Sequence, residues 1–239
     1  MKIFRRLFCA ALVAVLLCAS AMPAFAADKL TFYARSTSGE DWSWGSFSIE
    51  GYKAGAKVTG VKSDNKKVAT VNCINYYNNE YHYLEDDRTE KYNEASVELR
   101  LMKPGTAKVS YSMGGKKYTQ SVQVLKYVNP LKTLKLTGIS SSKNLKSDFA
   151  KGSGASTTLS KNAKAGYLQV TAASGWKIRS MEWEDETNRK YYQISSWSKP
   201  FSSGKMKIPG MTKGKTYYVW ITLINSKTGG EISLDYYIH

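Results

Sequence analysis

Enzymes that hydrolyse or transfer groups draw on clustered His, Cys, Asp and Glu, and this chain places few of them within reach of one another. Of its 239 residues two are histidines, His82 and His239, and three are cysteines, Cys9, Cys18 and Cys73. One histidine near one cysteine supplies neither the four ligands of a structural zinc site nor a Ser-His or Cys-His nucleophile pair. Paired-carboxylate chemistry would have to come from "EWEDETNRK", which holds Glu182, Glu184, Asp185 and Glu186. A glycosidase needs two such groups facing each other across a bound sugar, whereas this run has the composition of a solvated hairpin turn. Glu85, Asp86 and Asp87 are consecutive acids that alternate sides on an extended chain and match no calcium-loop spacing. Gly214-Lys215-Thr216 lacks the upstream glycine of a phosphate-binding loop. The sequence therefore predicts a protein that is not an enzyme and uses no metal or cofactor.

Binding chemistry is better supplied. Between Asn72 and Glu94 the chain reads "NCINYYNNEYHYLEDDRTEKYNE", with Tyr76, Tyr77, Tyr81, Tyr83 and Tyr92. Tyrosine offers a flat apolar face with a polar tip, which suits stacking on sugars or recognition of a protein. From Asn72 to Glu98 seven acids stand against two bases, in a chain whose net charge is +16. The competing reading is a pair of lengthened strands around an Asn78-Asn79 turn, with the tyrosines packed on the sheet. Trp42 and Trp44, two apart, share a strand face and form either a sugar platform or a core pair. Lys132, Lys135, Lys143, Lys146, Lys151, Lys161 and Lys164 would contact an anionic polymer or simply keep a loop solvated.

The scaffold that must hold these groups is an exported one. Lys2, Arg5 and Arg6 precede the apolar run Leu7 to Ala19, and small residues follow at Ala24 and Ala26. That is the layout of a secretory signal peptide cleaved after Ala26, and its apolar run is shorter than the about 20 residues of a membrane anchor. Cys73 is then the only thiol of the mature chain, so no intramolecular disulfide is available, and its spacing from Val71 predicts a buried, inert side chain. No later run is long and apolar enough to cross a bilayer. Charge is uneven: residues 27–130 hold 15 Lys and Arg against 12 Asp and Glu, and the rest of the chain holds 17 against 7. A basic exported surface points to an anionic cell-wall polymer, a glycan or a host surface protein as partner, and to no specific nucleic acid.

Period-two alternation dominates the mature chain. Val97, Leu99 and Leu101 alternate with polar residues, as do Ala107, Val109 and Tyr111. Gly114-Gly115 then supplies a tight turn, and Val122 and Val124 return on one face. Residues 95–127 thus predict a three-stranded antiparallel meander, whose apolar face a second sheet must cover. Thr137 to Gly166 reads as a long loop anchored by Leu145, Phe149 and Leu159. Beyond it, Trp176 and Ile178 fall out of phase with Met181 and Trp183, which predicts a bulge near Arg179-Ser180.

Two motifs carry a resemblance. "VTGVKSDNKKVATV", followed by "KPGTAKVSYSMGGKKYTQSVQV", resembles the bacterial Ig-like group 2 domain at Ser63, Asn65, Val68, Ala69, Val71, Gly105, Thr106, Ala107, Val109, Val122 and Val124. Gly60 stands where the family commonly has tryptophan, and the 72–94 insertion replaces a short turn. Later, Met211, Gly214, Tyr217, Val219, Ile221, Leu223 and Asn225 resemble the tyrosine corner and following strand of a fibronectin type III domain, with Lys213 in place of its usual proline. The resemblance implies an all-β chain: a signal peptide at 1–26, an Ig-like sandwich at 27–129 with the insertion at 72–94, and a basic fibronectin III-like sandwich at 130–239. Because Ig-like group 2 domains occur in adhesins and cell-surface proteins, it also implies a secreted, non-catalytic binding or adhesion protein. A carbohydrate-binding module that uses its Tyr and Trp faces, and a stalk without a ligand, are the competing expectations.

Overall fold

The structure, a computed structural model, describes residues 29–37, 43–83, 88–137, 139, 144–196 and 198–239, with only the backbone of 78–83 and 88–92. The expected signal peptide, Trp42, the acids at 85–87 and Lys143 lie outside the described residues. In chain order the strands are β1 (Leu30–Tyr33), β2 (Ser43–Ser48), β3 (Val58–Ser63), β4 (Ala69–Tyr83), β5 (Arg88–Leu101), β6 (Gly105–Met113), β7 (Lys116–Leu125) and β8 (Leu131–Leu136). After a single 3-10 turn at Leu145–Phe149 come β9 (Gly154–Thr157), β10 (Gly166–Ala172), β11 (Trp176–Asp185), β12 (Lys190–Ser195), β13 (Ser203–Ile208), β14 (Tyr217–Asn225) and β15 (Glu231–Ile238). The protein is all-β.

One nine-stranded sheet serves both halves of the chain, in the order β12-β11-β14-β15-β1-β7-β6-β3, with β9 also paired to β15. Two three-stranded sheets cover it, β2-β5-β4 over the first half and β13-β10-β8 over the second. Each cover closes a β-sandwich. In the first core Phe47, Val97, Leu99 and Leu101 meet Val109, Tyr111, Val122 and Val124. In the second, Leu134, Leu168, Val170 and Ile208 meet Ile178, Trp183, Val219, Ile221 and Tyr236. Burying each such side chain contributes about 1.5–3 kcal/mol. Alternation sends those residues inward and their neighbours outward, so the same strands that build the cores also set the two outer faces.

The expected meander over 95–127 does not form. β6 and β7 make the antiparallel hairpin, with Gly114 and Gly115 at φ +57° and +77° in its turn. β5, however, pairs with β2 and β4 in the opposite sheet. The chain changes sheets between Leu101 and Gly105, where Pro104 has no N–H to give a ladder. Gly105 follows at φ +152°, and a Cβ there would stand 2.6 Å from Val68 Cγ2. Alternation fixes which way a side chain faces, not which strand lies alongside.

Other expectations are met or adjusted by local geometry. The register of β11 on β14 shifts between Ile178 and Ser180, at the expected bulge. The Tyr217 hydroxyl accepts the Thr212 N–H at 2.7 Å, which forms the tyrosine corner. Within 137–166 the chain is more regular than a loop, because β9 runs parallel to β15, yet Leu145, Phe149 and Leu159 are buried as anchors. Cys73 is a correction. A bulge between Val71 and Cys73 shifts the phase of β4, so the free thiol is half-buried and donates to Asn75 Oδ1 at 3.5 Å.

Candidate functional site

The 72–94 segment is a ribbon. β4 and β5 stay paired from Ala69 opposite Leu101 to Tyr83 opposite Arg88. Asn78 and Asn79 lie opposite Asn93 and Tyr92 in mid-strand, so they do not make the expected turn. β2 ends opposite Ser96, and past that point the ribbon has no third strand among the described residues. Tyr76 and Tyr77, 46% and 44% exposed, are adjacent and take opposite faces. Tyr76 leans on Tyr52 with ring centroids 5.7 Å apart. These two rings therefore do not combine into one sugar platform. The side chains of Tyr81 and Tyr83 lie outside the description. At the root of the ribbon Glu98 accepts the side-chain N–H groups of Asn72 and Asn75, at 2.7 and 3.4 Å.

The second cover presents a different surface. On its outer face Lys135, Gln169 and Lys205 form one cross-strand row. Thr133, Thr171 and Ser203 form the next, and Tyr167 stands opposite Lys207 in a third. Strands β8, β10 and β13 contain Lys132, Lys135, Lys205 and Lys207 and no Asp or Glu. The Lys205 ammonium sits 3.9 Å above the Tyr167 ring, a cation-π contact that holds this half-exposed ring beside the charge. A shallow depression of about 450 Å³ runs between Lys135 and Lys205 over Gln169 and Thr171.

The lysines singled out in the sequence divide among several places. Lys132 and Lys135 belong to this face, Lys132 at the register shift where β8 leaves the regular ladder. Lys146 is on the 3-10 turn beside β8. The Lys151 carbonyl accepts the Thr37 N–H at the junction of the halves. Lys161 and Lys164 flank Ala163, which is bridged to Met211. Sequence reasoning missed Lys205 and Lys207. Their signal was the alternation with Met206 and Ile208, which turns both ammonium groups outward.

Trp44 is 47% exposed on β2 and lines a groove between β2, β1 and β15. Tyr33 of β1 packs on Trp176 with ring centroids 5.1 Å apart, and its hydroxyl lies 3.2 Å from Thr228 Oγ1. Arg35 forms an ion pair with Asp235 and donates to Ser153 Oγ at 3.2 Å. Arg179 forms one with Glu231. Burial pushes the Glu231 and Asp235 carboxyls above their ordinary range, against the opposing pull of Arg179 and Arg35.

The carboxylates of "EWEDETNRK" close a hairpin. Asp185 accepts the backbone and side-chain N–H of Asn188 at 2.9 and 2.6 Å. Glu182 accepts from the Tyr191 hydroxyl at 2.8 Å, and Tyr191 is pushed up to about 12 by desolvation and this bond. Among the described residues no three His, Cys, Asp or Glu side chains converge as metal ligands would.

No protein-family profile matches the chain, and no curated protein matches it. Among solved structures the similarities are distant. Domains 5-6 of the S-layer protein SbsC are 12% identical, with 88% of this chain and 93% of that one covered at a TM-score of 0.29. A longer piece of the same protein, domains 4-9, is 11% identical at a TM-score of 0.30, and this chain spans 30% of it. The adhesin InvE of Yersinia pseudotuberculosis is 11% identical, over 88% of this chain and 56% of that one, at a TM-score of 0.24. Scores this low leave the arrangement and activity of those proteins with them, and what is known of this chain rests on its own residues.

Proposed function

We propose that this is an exported, non-catalytic binding or adhesion protein that holds an anionic polymer at the cell surface on the outer face of β8, β10 and β13. Its two sandwiches are the Ig-like unit of 27–129 and the basic fibronectin III-like unit of 130–239, and the Ser63 to Val71 and Gly105 to Val109 motifs support the group 2 resemblance of the first. The observation that carries the reading is the second cover itself, with two lysines on each outer strand, β8 and β13, and no acid on any of its three strands. A repeating polyanion meets rows of cations spaced by the sheet, with Gln169, Thr171 and Tyr167 between them to hydrogen-bond and pack. The acidic ribbon at the other end disfavours the same ligand, which gives the protein a binding end and a repelled end.

The test is retention of the purified mature chain on isolated anionic cell-wall polymer across a salt series. Exposed contacts of this kind are screened over roughly 10 Å at 0.1 M salt, so retention should fall steeply as salt rises. Replacing Lys135, Lys205 and Lys207 together by Ala should weaken it about tenfold, at roughly 0.5 kcal/mol per contact. Retention that is indifferent to salt and to these lysines sinks the reading, and a folded chain that binds no polymer is the stalk.

A further inference from the structure

The nine-stranded sheet of the second sandwich has an outer face that the polymer reading leaves unused. On β14, Tyr218 and Trp220 alternate with the buried Tyr217, Val219 and Ile221, and so point away from the core. Cross-strand pairing sets Glu184, Tyr218 and Tyr237 in one row of this face, and Glu182 and Trp220 in the next. The rings touch one another. Tyr218 stacks on Trp220 with centroids 5.4 Å apart and meets Tyr237 edge-on at 5.0 Å. Both three-stranded covers lie on the other side of the sheet, so among the described residues no strand covers these rings. They expose apolar area that a partner would bury.

The acids around the rings keep their charge. Glu182 accepts the Tyr191 hydroxyl at 2.8 Å and Glu186 the Tyr218 hydroxyl at 3.1 Å, both from neutral donors. Neither they nor Glu184 forms an ion pair among the described residues. Carboxylates beside aromatic rings suit a cation, which gains from both. The opposite side of the same sandwich displays cations without acids, with Lys135, Lys205 and Lys207 all exposed. The match extends to spacing. Lys205 and Lys207 are two residues apart on β13, as Glu182 and Glu184 are on β11, so each pair spans about 6.8 Å along its strand. Lys135 lies two strands from Lys205, the same step that separates Glu184 from Tyr237.

We propose that the aromatic, acidic face of β11, β14 and β15 docks the lysine face of a second copy of this chain. Lysine ammonium groups meet Glu182 and Glu184, while lysine stems pack on Tyr218 and Trp220. The two faces point in opposite directions, so one copy cannot offer both to the same neighbour. The contact is heterologous, and it builds an open stack in which each copy leaves a face free for the next. A face of three short strands buries roughly half of the about 800 Å² per partner in a standard interface. A single contact is therefore weak, at about 10–100 µM. The proposal shares the lysine face with the polymer reading but does not rest on it, since the copies associate without polymer.

The test is sedimentation of the purified mature chain at rising concentration, without polymer. Its net positive charge repels like copies at long range, a term that about 0.1 M salt screens beyond roughly 10 Å while close ion pairs persist. In that salt the weight-average mass should climb past a dimer by about 500 µM, and about 1 M salt should weaken the association. Glu182→Gln with Glu184→Gln keeps an acceptor for Tyr191 and removes the charge, whereas Lys205→Ala with Lys207→Ala empties the opposite face. Each variant alone should associate about tenfold more weakly, with an unchanged thermal midpoint as the control for folding. Mixed in equal amounts they should form a one-to-one pair and grow no further, because each retains the face that the other has lost. Polymer retention separates the two readings, since the paired Glu→Gln variant should lose the stack and keep its hold on the polymer. Four results would each overturn the proposal: the chain stays monomeric, its mass levels off at a dimer, association survives the loss of Glu182 and Glu184, or the mixed variants remain apart. A monomeric chain that binds a lysine-rich peptide through those two glutamates assigns the face to a foreign basic partner instead.

Discussion

The two three-stranded covers do the same structural work and carry opposite outer faces. β2-β5-β4 and β13-β10-β8 each turn aliphatic residues inward against the shared sheet. Outside, the second is short, lysine-rich and free of acids, whereas β4 and β5 of the first run on past the core as a tyrosine-bearing ribbon that mixes Glu80, Glu90, Glu94 and Glu98 with Arg88, Lys91 and Arg100. Inward positions answer to packing and are interchangeable in kind between the covers. Outward positions are free of that demand, and the two faces have diverged there in length and in charge. The difference separates what the chain needs to fold from what it offers to a partner.

The largest test of that separation is in the cores. Leu99→Ala in the first cover and Leu168→Ala in the second both remove fully buried side chains. Each should cost about 2–5 kcal/mol in chemical denaturation. If one is nearly silent, the covers are not equivalent.

The first cover also depends on the change of sheet before β6. Gly105→Ala should cost about 1–3 kcal/mol, since the new Cβ meets Val68 at a backbone angle that side chains rarely adopt. A matching thermal shift is the check, and an unchanged midpoint would mean that the hand-over tolerates another route.

On the outer faces the effects should move to binding. Reversing charge by Lys205→Glu with Lys207→Glu should reduce polymer retention about tenfold and leave the unfolding free energy within about 0.5 kcal/mol. Glu94→Lys on the exposed flank of the ribbon should raise retention or leave it unchanged. Were both substitutions to lower it equally, the contrast in sign between the covers would have no functional content.

The smallest effect concerns pH at the junction. Glu231 and Asp235 titrate above their ordinary values of 4.5 and 3.8 because they are partly buried. Their protonated forms are favoured more in the folded chain than in the unfolded one. The stability they contribute is therefore present in acid and lost as pH rises from the ordinary carboxylate range through the raised folded values. Over that window Glu231→Gln should flatten the slope of stability against pH, measured by denaturation at a series of pH values. An identical slope in the variant would show that the glutamate is not responsible.

Much of the fold was legible because burial imposes period two directly on the residue string. Val122 and Val124 on β7, Val219, Ile221 and Leu223 on β14, and Ile232, Leu234 and Tyr236 on β15 all face inward as their spacing requires. Bulges were legible only where they broke a strong apolar phase, as at Ile178 and Ser180. At Asn72 the residues on either side, Val71 and Cys73, keep an unbroken apolar spacing of two, so the shift that carries Cys73 out of the core left no trace in the pattern. Strand neighbours are set by long-range pairing and were not legible, which is why β5 was expected beside β6. The lysine face was half visible for the same reason: Lys132 and Lys135 are local to one strand, whereas Lys205 and Lys207 join them only through β10.

β1 gives the molecule a property that neither sandwich has alone. Phe32 stands opposite Val124 on β7 and opposite Glu231 on β15, so one strand is hydrogen-bonded into both halves. The covalent link is equally taut, since Tyr127, between β7 and β8, is buried and donates its hydroxyl to the Phe149 carbonyl at 2.8 Å. No slack tether separates the two ends. Moving one half against the other would therefore mean breaking the β1 ladder on one side, and groups displayed on the two halves keep a spacing set by the sheet.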